Sequence, residues 1–242
     1  SLNNEKYNQF CLITEAEFWL LQPIKVVAKQ VDFFFRGTEL IKQFDCKIEL
    51  SSMSGVLEVT IATIDRKNLL LRIIENFISN EMEILEARVF TFKNGLILDT
   101  FKISVNSGIK LSDKDLIKKK NEIITDLRKS LTSDYKNIIG NYLIKKPKKI
   151  LKKENSISID NSSSDTYSII KVYANNRTYL LHDILKILLS YNLVVYTAKI
   201  STYEDFVEDT FHVLKASGYK IKKLTEIKRI EKDVKLKVLE RV

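Results

Sequence analysis

Residues 56–108 are written again about 111 positions later as residues 168–218, loops included. No other feature restricts the folding of this chain as strongly. Leu69, Leu70, Ile73, Ile74, Phe77 and Ile78 map under one shift onto Leu180, Leu181, Ile184, Leu185, Leu188 and Leu189. Around them, LEARVFTF (Leu85 to Phe92), LDTFKIS (Leu98 to Ser104) and Ser107-Gly108 return as YTAKISTY (Tyr196 to Tyr203), EDTFHVL (Glu208 to Leu214) and Ser217-Gly218. A period near 110 is too long for a solenoid unit and suits one small domain, so the chain reads as two copies of a domain.

Within each copy the apolar period changes twice. Val56 to Ile61 alternates and is rich in β-branched residues, as a half-buried strand requires. Apolar residues at i, i+1, i+4, i+5, i+8 and i+9 then mark one helical face. Glu83 to Phe92 and Leu96 to Ser104 alternate again around Lys93-Asn94-Gly95, a hairpin signal. Ser112 is placed to cap a helix carrying Leu116, Ile123, Ile124, Leu127 and Leu131. Strand, helix, strand, strand, helix and closing strand make the βαββαβ ferredoxin-like unit, so the fold class is α+β. The spacing places the closing strand of the first unit at Ile157 to Asp160, beyond the basic run Lys145 to Lys153, with a linker at Asn161 to Thr166.

The second unit has a strand at Ser168 to Tyr173, a helix at Thr178 to Ser190, a hairpin over Val194 to Leu214 and a basic helix over Ile221 to about Leu239. No residues follow that helix for a fourth strand, so the short strand Cys46 to Leu50, which leads through Ser54-Gly55 into the first copy, is the candidate to complete the second sheet. Ahead of it, Glu15 to Arg36 is apolar and helix-like; Pro23 divides it into a helix ending near Leu21 and another starting near Pro23. Phe18, Trp19 and Phe33 to Phe35 must pack against something. Domain boundaries follow at 1–45 (helical segment), 46–160 (first unit) and 161–242 (second unit).

Composition and motifs exclude several chemistries. Cys11 and Cys46 lack metal or disulfide spacing, and no run approaches the 18 apolar residues of a membrane helix. A cytoplasmic protein without metal, cofactor or membrane partner is expected. Of the net +9, residues 1–110 carry almost none (13 basic, 14 acidic), whereas residues 111–242 hold 27 basic and 17 acidic residues. Such asymmetry raises nucleic acid as a partner, but neither an RNP aromatic signature nor helix-turn-helix spacing is present. Catalytic residues are not expected. His182 falls on a helix beside Leu181 and Ile184, His212 is expected to face solvent beside Phe211, and the Asp99-Thr100 and Asp209-Thr210 pairs read as hairpin positions.

The loop between first strand and first helix is the candidate ligand site. It spans Asp65, Arg66, Lys67, Asn68 and Leu69 in the first copy, and Asn176, Arg177, Thr178, Tyr179 and Leu180 in the second. A helix N-terminus offers free N–H groups and a positive dipole end to a carboxylate, and Asp65 or Asn176 could hold an amine or merely cap the helix.

These loops carry a resemblance. Asp65-Arg66-Lys67-Asn68-Leu69-Leu70 resembles the ACT signature DRPGLL; Asn176 to Leu181 matches it less closely. Ala87-Arg88 and Ala198-Lys199 resemble the family's second strand, and Leu98 to Phe101 and Glu208 to Phe211 its VVDTF strand. Ile157-Ser158-Ile159-Asp160-Asn161 is similar to the V-T-I-D-N before a second ACT domain, and Phe18-Trp19 with Pro23-Ile24 to the stretch before a first. Together they resemble the tandem ACT region of the bacterial PII uridylyltransferase/uridylyl-removing enzyme family. The resemblance implies a nitrogen-sensing regulatory module that binds glutamine or another amino acid where two ACT units pack. It also implies upstream nucleotidyltransferase and HD domains, PII protein and a homodimeric partner; a ligand-free module serving dimerisation or docking is the alternative. Lys67-Asn68 and Thr178-Tyr179 stand where the family has Pro-Gly. Asparagine tolerates positive φ at that position better than tyrosine does.

Overall fold

The repeat builds one sheet. A computed structural model describes residues 4–20, 22–37, 45–53, 55–105, 113–132 and 154–239. Ser54, Ser107-Gly108, Ser112, Leu21 and the basic run Lys145 to Lys153 lie outside them. Three helices open the chain: α1 (Asn4–Ile13), α2 (Ala16–Leu20) and α3 (Ile24–Gly37). Next come β1 (Asp45–Leu50), β2 (Val56–Ile64), α4 (Leu69–Ser79), β3 (Met82–Phe90), β4 (Leu96–Val105) and α5 (Asp113–Thr132). The second half repeats this order as β5 (Ser156–Asp160), β6 (Ser168–Asn175), α6 (Leu180–Ser190), β7 (Leu193–Thr202), β8 (Phe206–Lys215) and α7 (Leu224–Val234), which ends in a π-helical turn, Lys235–Leu239. The architecture is α+β, with all eight strands antiparallel in the order β1-β2-β4-β3-β7-β8-β6-β5.

The two short edge strands exchange the roles expected of them. Ile157 to Asp160 does not close the first half; β5 pairs with β6, with Ile157 opposite Val172. Nor does Cys46 to Leu50 complete the second; β1 pairs with β2, with Ile48 opposite Val59. Each edge strand joins the strand that follows it through a short connection, and sequential strands so linked pair as neighbours at the smallest loop-closure cost. Local hydrogen bonds fix these connections. Ser51 N–H donates to the Val56 carbonyl, and the hydroxyls of Ser162 and Ser163 donate to the Asp160 carboxylate just past β5.

Strand parity sorts the layers. Leu57, Val59 and Ile61 on β2, Phe101 and Ile103 on β4, and Phe211 and Val213 on β8 point into a core shared with α4, α5, α6 and α7. On the opposite face of the first half, Ala62, Phe90, Phe92 and Leu98 meet Phe10, Phe18, Val27, Val31 and Phe34 from α1, α2 and α3. Phe10 lies edge-on to Phe18, Phe34 and Phe92 at centroid separations of 5.4, 5.0 and 5.5 Å. That geometry favours the ring quadrupoles. The phenylalanines of the opening segment thus cover the sheet, and α1 adds a helix that the sequence pattern did not mark.

The copies also share backbone irregularities. A β-bulge between Ile84 and Glu86 recurs between Val195 and Thr197. Asn68 (φ 62°) and Glu81 (φ 58°) are left-handed, as are their counterparts Tyr179 (φ 65°) and Asn192 (φ 55°). β3 and β7 fuse the halves, with Ala87 opposite Ile200, Arg88 opposite Lys199 and Val89 opposite Ala198.

Candidate functional site

Each strand–helix loop opens onto a cavity completed by the other half. The first cavity, about 430 Å³, is bounded by Asp65 to Leu71 and by Val89, Thr91, Ile97 and Asp99 of the same half. Its far wall comes from α6 and β7: Leu185, Leu188, Leu189 and Asn192 to Val195. The second cavity has the corresponding walls, namely Asn176 to His182, Ile200, Thr202, Val207 and Asp209, closed by Ile74, Ile78 and Met82 to Ile84 from α4 and β3. It measures about 70 Å³. A pseudo-twofold axis at the β3–β7 seam relates the two.

Their difference in volume follows from side chains. Tyr179 fills the position of Asn68. Asn176 Nδ2 donates to the Tyr203 carbonyl at 3.1 Å and reaches Glu83 Oε1 of the opposing half at 3.4 Å, and the first cavity has the apolar Val194 where Glu83 would correspond. The volume of the second cavity is about a sixth of that of the first. The five first-copy residues Asp65, Arg66, Lys67, Asn68 and Leu69 all line the larger cavity; the five second-copy residues line the smaller one.

The loop residues divide their tasks. Asn68 and Tyr179 precede α4 and α6 in left-handed conformation, and neither donates nor accepts a side-chain cap. The Leu69 N–H is taken by the Arg66 carbonyl at 3.0 Å, while Leu70 and Leu71, next in the first turn of α4, border the cavity without a side-chain cap. Arg66 borders the cavity, but its guanidinium is engaged elsewhere. Its Nη1 donates to the Leu131 carbonyl at the end of α5, at 2.7 Å, as Arg177 Nη2 donates to the Val238 carbonyl at 3.0 Å. Buried Arg177 also pairs with Asp183 at 2.7 Å. These arginines tie each loop to the C-terminal end of its unit's last helix.

Two aspartates missed as cavity residues lie at the cavity floors. Asp99 and Asp209 share the parity of Phe101 and Phe211, so they face the helices, and they are 2% and 3% exposed. Each accepts one backbone N–H across its hairpin, Asp99 from Phe90 at 3.2 Å and Asp209 from Ser201 at 3.3 Å. Burial raises both carboxyls, Asp209 to about 7 and Asp99 well above the usual range; the neighbouring Asp65 charge pushes Asp99 further. Burial raises Asp65 as well. The parity of Asp99 with Phe101 was the signal that placed it inward.

Of the two histidines, His182 lies on α6 as expected and His212 departs from expectation. His182 is buried at the α4–α6 seam with its Nε2 3.3 Å from Glu75 Oε1. His212 does not face solvent: it is 9% exposed, lies 5.9 Å from the Tyr167 ring, and its Nδ1 has no hydrogen bond. Residues Glu15 and Tyr167, joined at 2.8 Å, carry the opening segment over to this part of the second half. Among the described residues no group of three or more His, Cys, Asp or Glu could hold a metal ion, and no helix is long and apolar enough to cross a membrane.

No family model matches the chain. It is similar to proteins named bifunctional uridylyltransferase/uridylyl-removing enzyme. That of Novosphingobium aromaticivorans is 23% identical over 215 residues, 89% of this chain and 23% of the relative. That of Azospirillum brasilense is 29% identical over 178 residues (69% and 18%), and that of Ruegeria pomeroyi 32% over 145 (57% and 15%). A solved structure of an unknown protein from Galdieria sulphuraria, 9% identical with a TM-score of 0.25, adds nothing to the argument. The chain therefore spans between 15% and 23% of the length of these curated relatives, each of them a bifunctional uridylyltransferase/uridylyl-removing enzyme.

Proposed function

We propose that the chain is an amino-acid-sensing regulatory module of a PII uridylyltransferase/uridylyl-removing enzyme, made of two ferredoxin-like ACT units. In each unit the fourth strand position is filled by the strand that precedes the repeat, β1 or β5, so the units run over about residues 45–132 and 154–239. The observation that carries this reading is the first cavity. It has an uncapped helix N-terminus for a carboxylate, acidic side chains for an amine and a wall from the second unit, so that a ligand would bridge both halves. Glutamine is the effector that the resemblance to uridylyl-removing enzymes implies. Its occupancy would bias catalytic nucleotidyltransferase and HD domains of a longer protein acting on PII, through the β3–β7 and α4–α6 seams.

Calorimetric titration of the chain with L-glutamine tests this. Saturable binding at one site per chain, lost in Asp65→Ala, is expected. Silence across millimolar glutamine contradicts it. The small volume of the second cavity favours a second reading for that half alone, as a unit kept for packing or self-association. Light scattering that shows the same oligomeric state with and without amino acids would accord with it, whereas ligand-dependent assembly would not.

A further inference from the structure

The floor of the first cavity identifies which end of a ligand is received there. Asp99 sits in mid-strand, nearly free of solvent, and its one hydrogen bond among the described residues, from the Phe90 N–H, engages Oδ1 and leaves the other oxygen for the cavity it lines. Among the described residues the other charged groups around that space are Asp65, Arg66 and Lys67. Arg66 is held on the Leu131 carbonyl, and Lys67 is exposed. The far wall, Leu185, Leu188, Leu189, Leu193, Val194 and Val195, is uncharged. A buried carboxyl without a cation is costly unless it is protonated or a cation arrives.

Resting on the reading of the site given above, we propose that Asp99 receives the ammonium group of the bound amino acid, with Asp65 on its other side. The ligand carboxylate then points to the first turn of α4. Asp99 at the floor is the selective element: it accepts a primary ammonium and disfavours an analogue that leaves it without a partner. Burial and the Asp65 charge push the Asp99 carboxyl up, and an arriving ammonium favours the carboxylate again, so at a pH where the empty cavity holds the acid form the ammonium stays charged, the carboxyl becomes carboxylate, and one proton passes to solvent. Affinity should rise with pH up to the point where Asp99 is already ionised.

Calorimetry on the whole chain at pH 6.5, in two buffers of different ionisation heat, reads both parts. L-glutamine should bind with proton release, and 4-carbamoylbutanoate, which lacks the α-amino group, should not bind. Asp99→Asn, which keeps the acceptor for Phe90, should bind glutamine at least tenfold more weakly and release no proton; Asp209→Asn should behave as the parent chain. Thermal unfolding of each variant checks that it folds, and the two ligands on the unaltered chain decide the matter if it does not. If 4-carbamoylbutanoate binds as well as glutamine, or Asp99→Asn keeps both affinity and proton release, the assignment of Asp99 is wrong while the site reading stands. Absence of glutamine binding by the parent chain removes both.

Discussion

Replacing Asp209 with asparagine should make the chain more stable, and only above acidic pH. The carboxyl is 3% exposed, its one donor is the Ser201 N–H, and burial pushes it up to about 7 from an ordinary 3.8. In the unfolded chain it ionises near its ordinary value. Below that, both states carry the proton and the residue costs nothing. Between about 4 and 7 the folded state holds a proton that the unfolded state has lost, so unfolding free energy falls as pH rises, and the loss is complete above about 7. An interval of about three pH units at about 1.36 kcal/mol each gives about 4 kcal/mol as the upper bound. The asparagine side chain would keep an oxygen for the Ser201 N–H and cannot ionise. Urea unfolding of the parent chain and Asp209→Asn at pH 4, 5, 6, 7 and 8 should show near-equal stability at pH 4 and a gap opening toward about 4 kcal/mol by pH 8. A gap that is flat with pH would refute burial as the cause.

Other perturbations follow from the loops and seams. Asn68→Val puts a β-branched residue at φ 62° and should cost about 1–2 kcal/mol in urea unfolding, whereas Asn68→Gly should be neutral or slightly stabilising; equal stabilities would contradict the left-handed turn. Arg177→Met takes the guanidinium from the buried Asp183 carboxylate, which keeps its His182 contact, and should cost about 3 kcal/mol; Arg66→Met, losing mainly one bond to the Leu131 carbonyl, should cost nearer to about 1 kcal/mol. In an NMR titration the histidines should separate. For His182 burial alone would lower the imidazole, but Asp183 and Glu75 outweigh it, so it titrates above 6.5; burial takes His212 below. The His182 contact therefore stabilises the fold below pH 6.5 and is lost as pH rises through its higher folded value. Identical midpoints for the two histidines would sink this assignment.

Periodicity carried the core a long way. Leu69, Ile73, Ile74 and Phe77 are buried and Leu70 and Ile78 half-buried, and Leu180, Ile184, Leu185, Leu188, Leu181 and Leu189 follow the same order, because one helical stripe meets one sheet face twice. Partnership between strands was not legible. Ser-Ile-Ser-Ile-Asp presents the same alternation beside β2 or β6, so its pattern cannot choose a neighbour; the short connection does. Helix α1 was missed because Phe10 is its one fully buried apolar residue and leaves little stripe to read. The larger cavity was partly legible through Asn68 against Tyr179. Asp99 was not recognised, since an aspartate in a hairpin strand usually faces water and only its parity with Phe101 says otherwise. His212 hides for a tertiary reason: Tyr167, outside its own hairpin, lies beside it.

Amide hydrogen exchange with and without saturating L-glutamine tests the central claim most directly, because the claim is that one ligand contacts both halves at one of two similar loops. Added protection should appear in residues 65–71 and, from the other half, in residues 185–195, with little change at residues 176–182 and 74–84. Protection centred on the second loop, equal protection at both loops, or no change at either would contradict it.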